Sequence, residues 1–290
     1  MKTSSLLALL VVLGCGSERA PQATETPEER ASAGSMEART ASPEPEGEGQ
    51  VEAEAAPSEA PAEDSVEAPA GAPSTESWAA VLSGYRKESG FDYAGLSADD
   101  TAKAQLASYV SAIGAASGVS DWSRDDQLTF FINAYNALTV SAVIERWPLD
   151  SVMNVDGFFD GITHDVAGEA ITLNTLENER IRATFGEPRI HFAVNCASVS
   201  CPPLLAQPFA ADTLEETLEA QAVAFVRSST QIRGRRVTVS KLFEWFADDF
   251  GGADGVRTFV AERLEGDAAE TVRGARLRYA EYDWNVNAAE

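Results

Sequence analysis

The feature that most constrains the fold is a long segment, Gly16 to Glu76, that contains no Phe, Trp or Tyr. It holds eight of the chain's thirteen prolines, and its fifteen acidic residues face only three arginines. Such a composition buries too little apolar surface to offset the chain entropy that folding removes. We therefore expect a disordered acidic tether over residues 15–76 and one globular domain over residues 77–290.

The N-terminus predicts export and lipid attachment. An eight-residue apolar run, Leu6 to Leu13, follows Lys2 and is too short to cross a bilayer, as is typical of a signal-peptide core. The next residues complete Val12-Leu13-Gly14-Cys15, which resembles the lipobox of bacterial lipoproteins, where cleavage precedes a lipidated cysteine. We expect residues 1–14 to be a signal peptide, and an ordinary secretory signal is the alternative.

Acylation of Cys15, with palmitate among the chains, would attach the mature protein to the lipid bilayer. Position 16 is Gly rather than Asp, the residue that retains enterobacterial lipoproteins in the inner membrane. The expected location is therefore the bacterial cell envelope, at the outer membrane.

The charge of the chain limits its partners. Of the formal net charge of −24, residues 16–76 account for 12 negative charges and residues 77–290 for 13, while Lys2 adds one positive charge. Nucleic acids and anionic lipids bind proteins through clustered Lys and Arg. The acidic balance of the folded part argues against both, and we expect no nucleic-acid partner.

The periodicity of the folded part predicts a single helix-rich α+β domain with a small sheet. The longest predicted helix runs from Gln127 to Trp147, ends at Pro148 and is apolar almost all the way round, so we expect it to be central. The other predicted helices are Trp78 to Tyr85, Ser97 to Ala115, Thr213 to Val226, Lys241 to Phe250 and Val256 to Leu264. The predicted strands are Ile190 to Val194, Arg236 to Ser240 and Arg276 to Tyr279, with a hairpin around Ala167-Gly168.

Reactive side chains are densest between His191 and Cys201, a stretch with one of the chain's two histidines and two of its three cysteines. A neutral imidazole accepts a proton near pH 7, and a cysteine becomes a strong nucleophile as its thiolate. The first hypothesis is a thiol-dependent hydrolase or acyltransferase with Cys196 as nucleophile and His191 as base.

Three asparagines and one glutamate are candidate partners of this pair. Asn133 and Asn136 share a face of the central predicted helix, and Asn195 follows the predicted strand. Because a buried amide needs hydrogen-bond partners, each either fixes nearby backbone or orients the imidazole and stabilises an oxyanion. Glu177 fits the capping-box position of a helix with Asn174 as N-cap, and the alternative is a catalytic carboxylate.

The same residues permit two further hypotheses. An oxidising periplasm favours a disulfide between Cys196 and Cys201, which would leave a non-catalytic domain that binds a ligand or a protein partner. A metal site could instead use His191, both cysteines and either His164 or Glu177. Equal spacings of five residues are unlike the close pairs of structural zinc sites, so we expect neither a metal nor another cofactor.

Four ordered motifs resemble those of the family of domains of unknown function numbered 547, over about residues 125–287. The resemblance implies a domain type without an established reaction. It also implies that Cys196 is the better nucleophile, because plant members keep the cysteine at this position and lack the one that matches Cys201. Family members often have Glu-His where this chain has Glu177-Asn178, which weakens a role for position 178 as a base. The motifs are Phe131-Ile-Asn-Ala-Tyr-Asn-Ala-Leu138, Pro188-Arg-Ile-His-Phe-Ala-Val-Asn-Cys-Ala-Ser-Val-Ser-Cys-Pro-Pro-Leu204, Val239-Ser-Lys-Leu-Phe-Glu-Trp245 and Tyr282-Asp-Trp-Asn-Val-Asn287.

Overall fold

The computed structural model describes residues 68–289. The predicted signal peptide, the predicted lipidation site Cys15 and residues 15–67 of the predicted tether lie outside the described residues. The part that is described is helix-rich with small sheets, which confirms the predicted α+β class.

The domain opens with three helices and a two-stranded hairpin. The predicted helix from Ser97 to Ala115 is divided, because Asp99 ends one helix and caps the next by accepting hydrogen bonds from the N–H groups of Thr101 and Ala102 (2.8 and 3.1 Å). The elements are α1 (Glu76–Tyr85), β1 (Arg86–Lys87), β2 (Gly90–Phe91), α2 (Tyr93–Ala98) and α3 (Asp100–Ala115).

The central helix predicted from the apolar pattern is α4 (Arg124–Ile144). Ser123 caps it by accepting a hydrogen bond from the N–H of Asp126 at 3.1 Å. Within residues 68–289, α4 alone is long and apolar enough to cross a membrane, but 78% of its apolar window is buried inside the domain. Apolar residues surround α4 on nearly all sides because it is a buried core helix.

The predicted hairpin around Ala167-Gly168 is confirmed as β3 (Thr163–Val166) and β4 (Glu169–Thr172), with both turn residues at positive φ (50° and 81°). The chain then forms one helical segment made of α5 (Leu173–Thr175), a π-helix (Leu176–Arg182) and α6 (Ala183–Phe185). The prediction that Asn174 caps this segment is wrong. Thr172 is the N-cap, and its hydroxyl oxygen accepts a hydrogen bond from the N–H of Thr175 at 3.1 Å. Glu177 therefore does not occupy the capping-box position of this helix.

The strand predicted from Ile190 to Val194 is also wrong, because a 3₁₀-helix forms over Pro188–Phe192. Pro188 stands at its first position, where a missing N–H costs nothing, and the Glu187 carboxylate accepts from the N–H of Arg189 at 3.0 Å. A short apolar run is compatible with either element, and this local capping decides between them.

The C-terminal part consists of four helices, a 3₁₀-helix and a three-stranded sheet. The elements are α7 (Leu214–Ser229), β5 (Gln231–Arg233), β6 (Arg236–Val239), α8 (Leu242–Trp245), a 3₁₀-helix (Ala247–Phe250), α9 (Gly252–Glu262), α10 (Gly266–Arg273) and β7 (Leu277–Tyr279). Strand β6 is central, pairing antiparallel with β5 and parallel with β7. The helix predicted from Lys241 to Phe250 is interrupted after Trp245, and α10 was not predicted.

Two hydrophobic cores meet at the 3₁₀-helix Pro188–Phe192. The first core surrounds α4 and includes Ile190, whereas the second core lies between α7, α9 and the three-stranded sheet and includes Phe192. His191, between these two residues, is 2% exposed. Packing on both sides therefore fixes the position of the histidine identified from the sequence.

Candidate functional site

The amide of Asn133 is used entirely by backbone. Its Nδ2 donates to the carbonyl oxygen of Phe209 at 2.9 Å, and its Oδ1 accepts from the N–H of the same residue at 3.0 Å. The side chain is 1% exposed. Asn133 thus fixes a distant loop to α4, and neither of its amide atoms is bonded to His191.

Asn136 and Asn195 fix the loop that carries the cysteines. Asn136 donates to the carbonyl oxygen of Ala193 at 2.9 Å and accepts from the N–H of Asn195 at 2.8 Å. Asn195 in turn donates to the carbonyl oxygen of Pro202 at 2.6 Å and accepts from the N–H of Ala197 at 2.9 Å. These four contacts are all to backbone groups, and neither amide is bonded to His191.

Cys196 and Cys201 are joined as a disulfide, with their Cα atoms 6.1 Å apart. The intervening residues loop back, and Ala197 takes a left-handed conformation with φ of 62°. The hydroxyl oxygen of Tyr282 lies 3.1 Å from the Cys196 sulfur and 3.3 Å from the Cys201 sulfur. In this oxidised form neither sulfur is a thiolate.

His191 is paired with a residue that the sequence reasoning missed. Its Nε2 lies 2.6 Å from Oδ2 of Asp249. Because the carboxylate can only accept, Nε2 carries the ring proton and donates a hydrogen bond to Oδ2. The ring stacks on Phe246 with a centroid separation of 3.9 Å. Within residues 68–289, Nδ1 is buried and has no hydrogen-bond partner. Burial lowers the pKa of His191 to about 4, against the opposing effect of Asp249, so the imidazole is neutral at pH 7.

Asp249 is itself held by a cation. Arg182 donates to both carboxylate oxygens, from Nε at 2.8 Å and from Nη2 at 2.9 Å. Burial alone would raise the pKa of Asp249, but the hydrogen bonds from Arg182 and His191 bring it below its usual value. Arg182, Asp249 and His191 thus form a chain in which the carboxylate stays ionised and fixes the imidazole tautomer.

Glu177 lies on the π-helix and accepts a hydrogen bond from the hydroxyl of Tyr135 at 3.1 Å. The side chain is half-buried, and burial raises the pKa of its carboxyl above the ordinary value despite the opposing effects of Tyr135 and Arg182. π-Helical turns interrupt regular helices mainly at functional sites. Among the described residues, this carboxyl group takes part in neither a helix cap nor an ion pair.

These groups meet at a cavity of about 220 Å³, which we call the disulfide cavity. Trp245, Tyr282 and Trp284 form one wall, with ring centroids 4.5 to 5.8 Å apart. Its polar and sulfur-bearing lining includes Tyr135, Asn174, Glu177, His191, Cys196 and Cys201. The cavity therefore brings together His191, Glu177 and both cysteines, while Asn133, Asn136 and Asn195 act on the backbone behind it.

His164 is not brought to this cavity. It lies in β3, and its Nε2 is buried without a partner in the described part of the chain. Over residues 68–289, no three His, Cys, Asp or Glu side chains are grouped so that they could hold a metal ion. The metal site considered with His164 is thus not assembled.

The sequence marked some of the site residues that were not predicted and gave no sign of others. Tyr135 and Tyr282 stand in two of the quoted motifs, so the motifs did mark them, although without a role. Asp249 lies 58 residues from His191, and Arg182 lies in a segment that was read as an ordinary helix. No local pattern links these two residues to the histidine.

Comparison with known proteins adds the family and nothing further. The model of the family described as "Protein of unknown function, DUF547" matches residues 119–226. No curated protein and no solved structure matches the chain. The match ends before the motifs that contribute Trp245 and Tyr282 to the cavity. This match supports the resemblance predicted from the motifs over residues 119–226, which contain the first two of the four motifs.

Proposed function

We propose that the domain binds a small organic molecule with an apolar body and a hydrogen-bond-donating or ammonium group in the disulfide cavity. The observation that carries this proposal is the chemistry of the lining: an aromatic wall faces a half-buried carboxyl group, Glu177. No Lys or Arg is present among the described lining residues. Aromatic faces attract cations, and a carboxylate adds a charged acceptor.

The size of the cavity limits the ligand. Apolar cavities of about 150 Å³ hold benzene. A volume of about 220 Å³ accommodates one ring with a short polar side chain. Nδ1 of His191 is buried, so the carboxyl group of Glu177 is the acceptor that we assign to the ligand. A compact primary amine on an aromatic ring satisfies these requirements.

Benzylamine and benzoate test the proposal, because they share a ring and differ in the sign of charge. We expect benzylamine to bind about tenfold more tightly than benzoate in a ligand-observed NMR titration of the full chain. Glu177→Gln should abolish this preference. The matched control is Glu179→Gln, which removes an exposed carboxylate from the same π-helix. Equal affinities of the two ligands for the parent protein would refute the proposal.

Thiol chemistry is the second candidate, and the hydrogen bond between Asp249 and His191 favours it. Reduction by a dithiol would place two electrons and two protons on the sulfurs and oxidise the reductant to its own disulfide. Nδ1 of His191 would then take the proton of Cys196, and the thiolate would attack an acyl carbonyl carbon, with the imidazolium returning the proton to the leaving group. In this candidate the orienting residue is Asp249 and not an asparagine.

Iodoacetamide distinguishes the two candidates. If the domain is a binding module with a permanent disulfide, Cys196 is unlabelled before and after mild reduction of the folded protein. If it is a thiol enzyme, mild reduction exposes a Cys196 thiolate that is alkylated faster than Cys201. His191→Gln should slow that alkylation by about tenfold or more, because the base is lost.

Lipid anchoring in a bacterial envelope is part of the same proposal. It rests on Lys2, the apolar run Leu6 to Leu13 and Cys15. The mass of the protein extracted from membranes should exceed that of residues 15–290 by the mass of its acyl chains. A Cys15→Ser chain should lack these chains and leave the membrane fraction.

A further inference from the structure

Five exposed arginines lie together on the outer side of the three-stranded sheet. They border one open groove, which we call the arginine face, and Glu244 lies at its edge. The feature is unexpected, since residues 77–290 carry 13 net negative charges. The arginines are Arg233, Arg235, Arg236, Arg276 and Arg278.

The strand register places these side chains in a row. Arg233 of β5 is the register partner of Arg236 of β6. Val237 of β6 is paired with Leu277 of β7, so Arg276 stands beside Arg236. Since Val237 is fully buried, Arg236 on the alternating side faces outward. Like charges opposite one another weaken a sheet, so this row works against the stability of the fold.

No carboxylate of the described chain offsets the row. Within residues 68–289, none of the five arginines forms an ion pair within 4.0 Å, and Glu244 is paired with Lys241. Exposed arginines elsewhere are different. Arg124, Arg227 and Arg273 each have a carboxylate partner. The arginine face therefore has unused capacity for an external anion.

We propose that the arginine face docks the domain onto the phosphate groups of an anionic bilayer. Guanidinium groups bind phosphate oxygens in a bidentate geometry, and an open face with several of them suits a surface of repeated phosphates.

The lipid anchor proposed above strengthens this choice. With the anchor in the bilayer, contact between the domain and headgroups becomes intramolecular, so a weak electrostatic affinity suffices. A basic patch is a common second signal beside acyl chains. The acidic balance of the whole domain argued against anionic lipid, but the register concentrates positive charge on one side, and this side alone needs to approach the membrane.

Nucleic acid is less well matched to the same face. It would have to diffuse to a domain whose remaining surface repels it, and no anchor raises its local concentration. An arginine row three strands wide neutralises few phosphates of a long polyanion. Binding of DNA is therefore kept as an outcome of the test.

The test is vesicle co-sedimentation of the full chain carrying Cys15→Ser, so that acylation does not contribute. Vesicles of phosphatidylcholine alone are compared with vesicles that contain an equal amount of phosphatidylglycerol. We expect binding only to the second kind. Each basic side chain at an anionic surface contributes about fivefold in affinity, so the triple variant Arg233→Gln, Arg236→Gln, Arg276→Gln should bind about 100-fold more weakly.

The matched control is the triple variant Arg124→Gln, Arg227→Gln, Arg273→Gln, which makes the same change in net charge away from the arginine face. It should bind as the parent does, within about twofold. The proposal is overturned if the parent does not sediment with phosphatidylglycerol vesicles, if both triple variants lose affinity equally, or if the parent binds a DNA oligonucleotide more tightly than the vesicles. Loss of the benzylamine preference or of the acyl mass would overturn the function proposed above and leave this result intact.

Discussion

Buried polar groups around the disulfide cavity fall into two kinds. Asn133, Asn136 and Asn195 use both amide atoms on backbone groups that lie 2 to 76 residues away. Glu177 and His191 are different, because both line the cavity and neither side chain is hydrogen-bonded to backbone in the described chain. An amide bonded to backbone holds a loop in place, whereas a carboxyl group in the cavity lining is available to a ligand. The kind of partner therefore separates scaffold from site in this domain.

Changing the scaffold should have the largest effect on stability. Asn133→Asp replaces a donor to the carbonyl oxygen of Phe209 by a carboxylate oxygen and buries a charge. We expect the free energy of unfolding to fall by about 4 kcal/mol, measured by urea denaturation with circular dichroism. The exposed side chain of Asn154 provides the control, as Asn154→Asp should change stability by less than about 0.5 kcal/mol. An Asn133→Asp protein that is as stable as the parent but no longer binds benzylamine would contradict the scaffold role.

The pH dependence of stability probes the imidazole. Since burial lowers the pKa of His191 to about 4, the unfolded chain takes up a proton at this residue between pH 6.5 and 4 and the folded chain does not. Stability is therefore fully present above pH 6.5 and falls by about 3 kcal/mol as the pH drops to 4.

The variant His191→Gln should flatten this slope in urea titrations at several pH values. Some slope should remain, because burial also lowers the pKa of His164. Below that window Asp249 acts in the same direction, since its pKa is lowered in the folded state. An unchanged slope in the His191→Gln protein would show that the histidine titrates normally.

Reducing the disulfide should have a smaller effect. A closed loop of five-residue separation contributes about 2 kcal/mol through the entropy of the unfolded chain. We expect the protein to remain folded after reduction with tris(2-carboxyethyl)phosphine, because Asn136 and Asn195 still hold the loop. Melting curves with and without the reductant measure the difference in stability. Complete unfolding on reduction would show that the disulfide, and not the two asparagines, holds the loop.

The smallest effect on stability is expected for Glu177→Gln. A carboxyl with a raised pKa contributes less stability as the pH rises through that pKa, so the neutral amide should leave the protein as stable as the parent or slightly more stable at pH 7. The same variant should lose its preference for benzylamine. Loss of stability similar to that of Asn133→Asp would place Glu177 in the scaffold.

Regular elements were predictable from the sequence where local signals agree. The apolar pattern predicts helix α4, although the helix begins and ends three residues earlier than predicted, and the turn residues Ala167-Gly168 predict the hairpin. The segment Ile190 to Val194 was predicted wrongly, because five apolar-rich residues suit a strand or a helical turn equally well. Here packing against two cores and the cap from Glu187 decided the outcome.

The sequence allowed the reactive residues of the site to be predicted, but it did not allow their partners to be predicted. His191 and the two cysteines are close in sequence and rare in composition, so they were identified at once. Asp249 binds His191 across 58 residues, and Tyr282 reaches the Cys196 sulfur across 86. The roles of the asparagines also depend on long-range partners. Such pairs are set by the tertiary fold, and sequence spacing carries no signal for them.

The junction of the two cores at Pro188–Phe192 determines how much of the chain must stay together for the cavity to form. The matched segment 119–226 supplies His191 and the cysteines, but Asp249, Trp245 and Tyr282 come from the chain beyond it. A protein that retained only the matched segment would expose Phe192 and leave the imidazole without its carboxylate. The smallest piece of chain that can be transferred between proteins with its cavity complete therefore extends to Trp284.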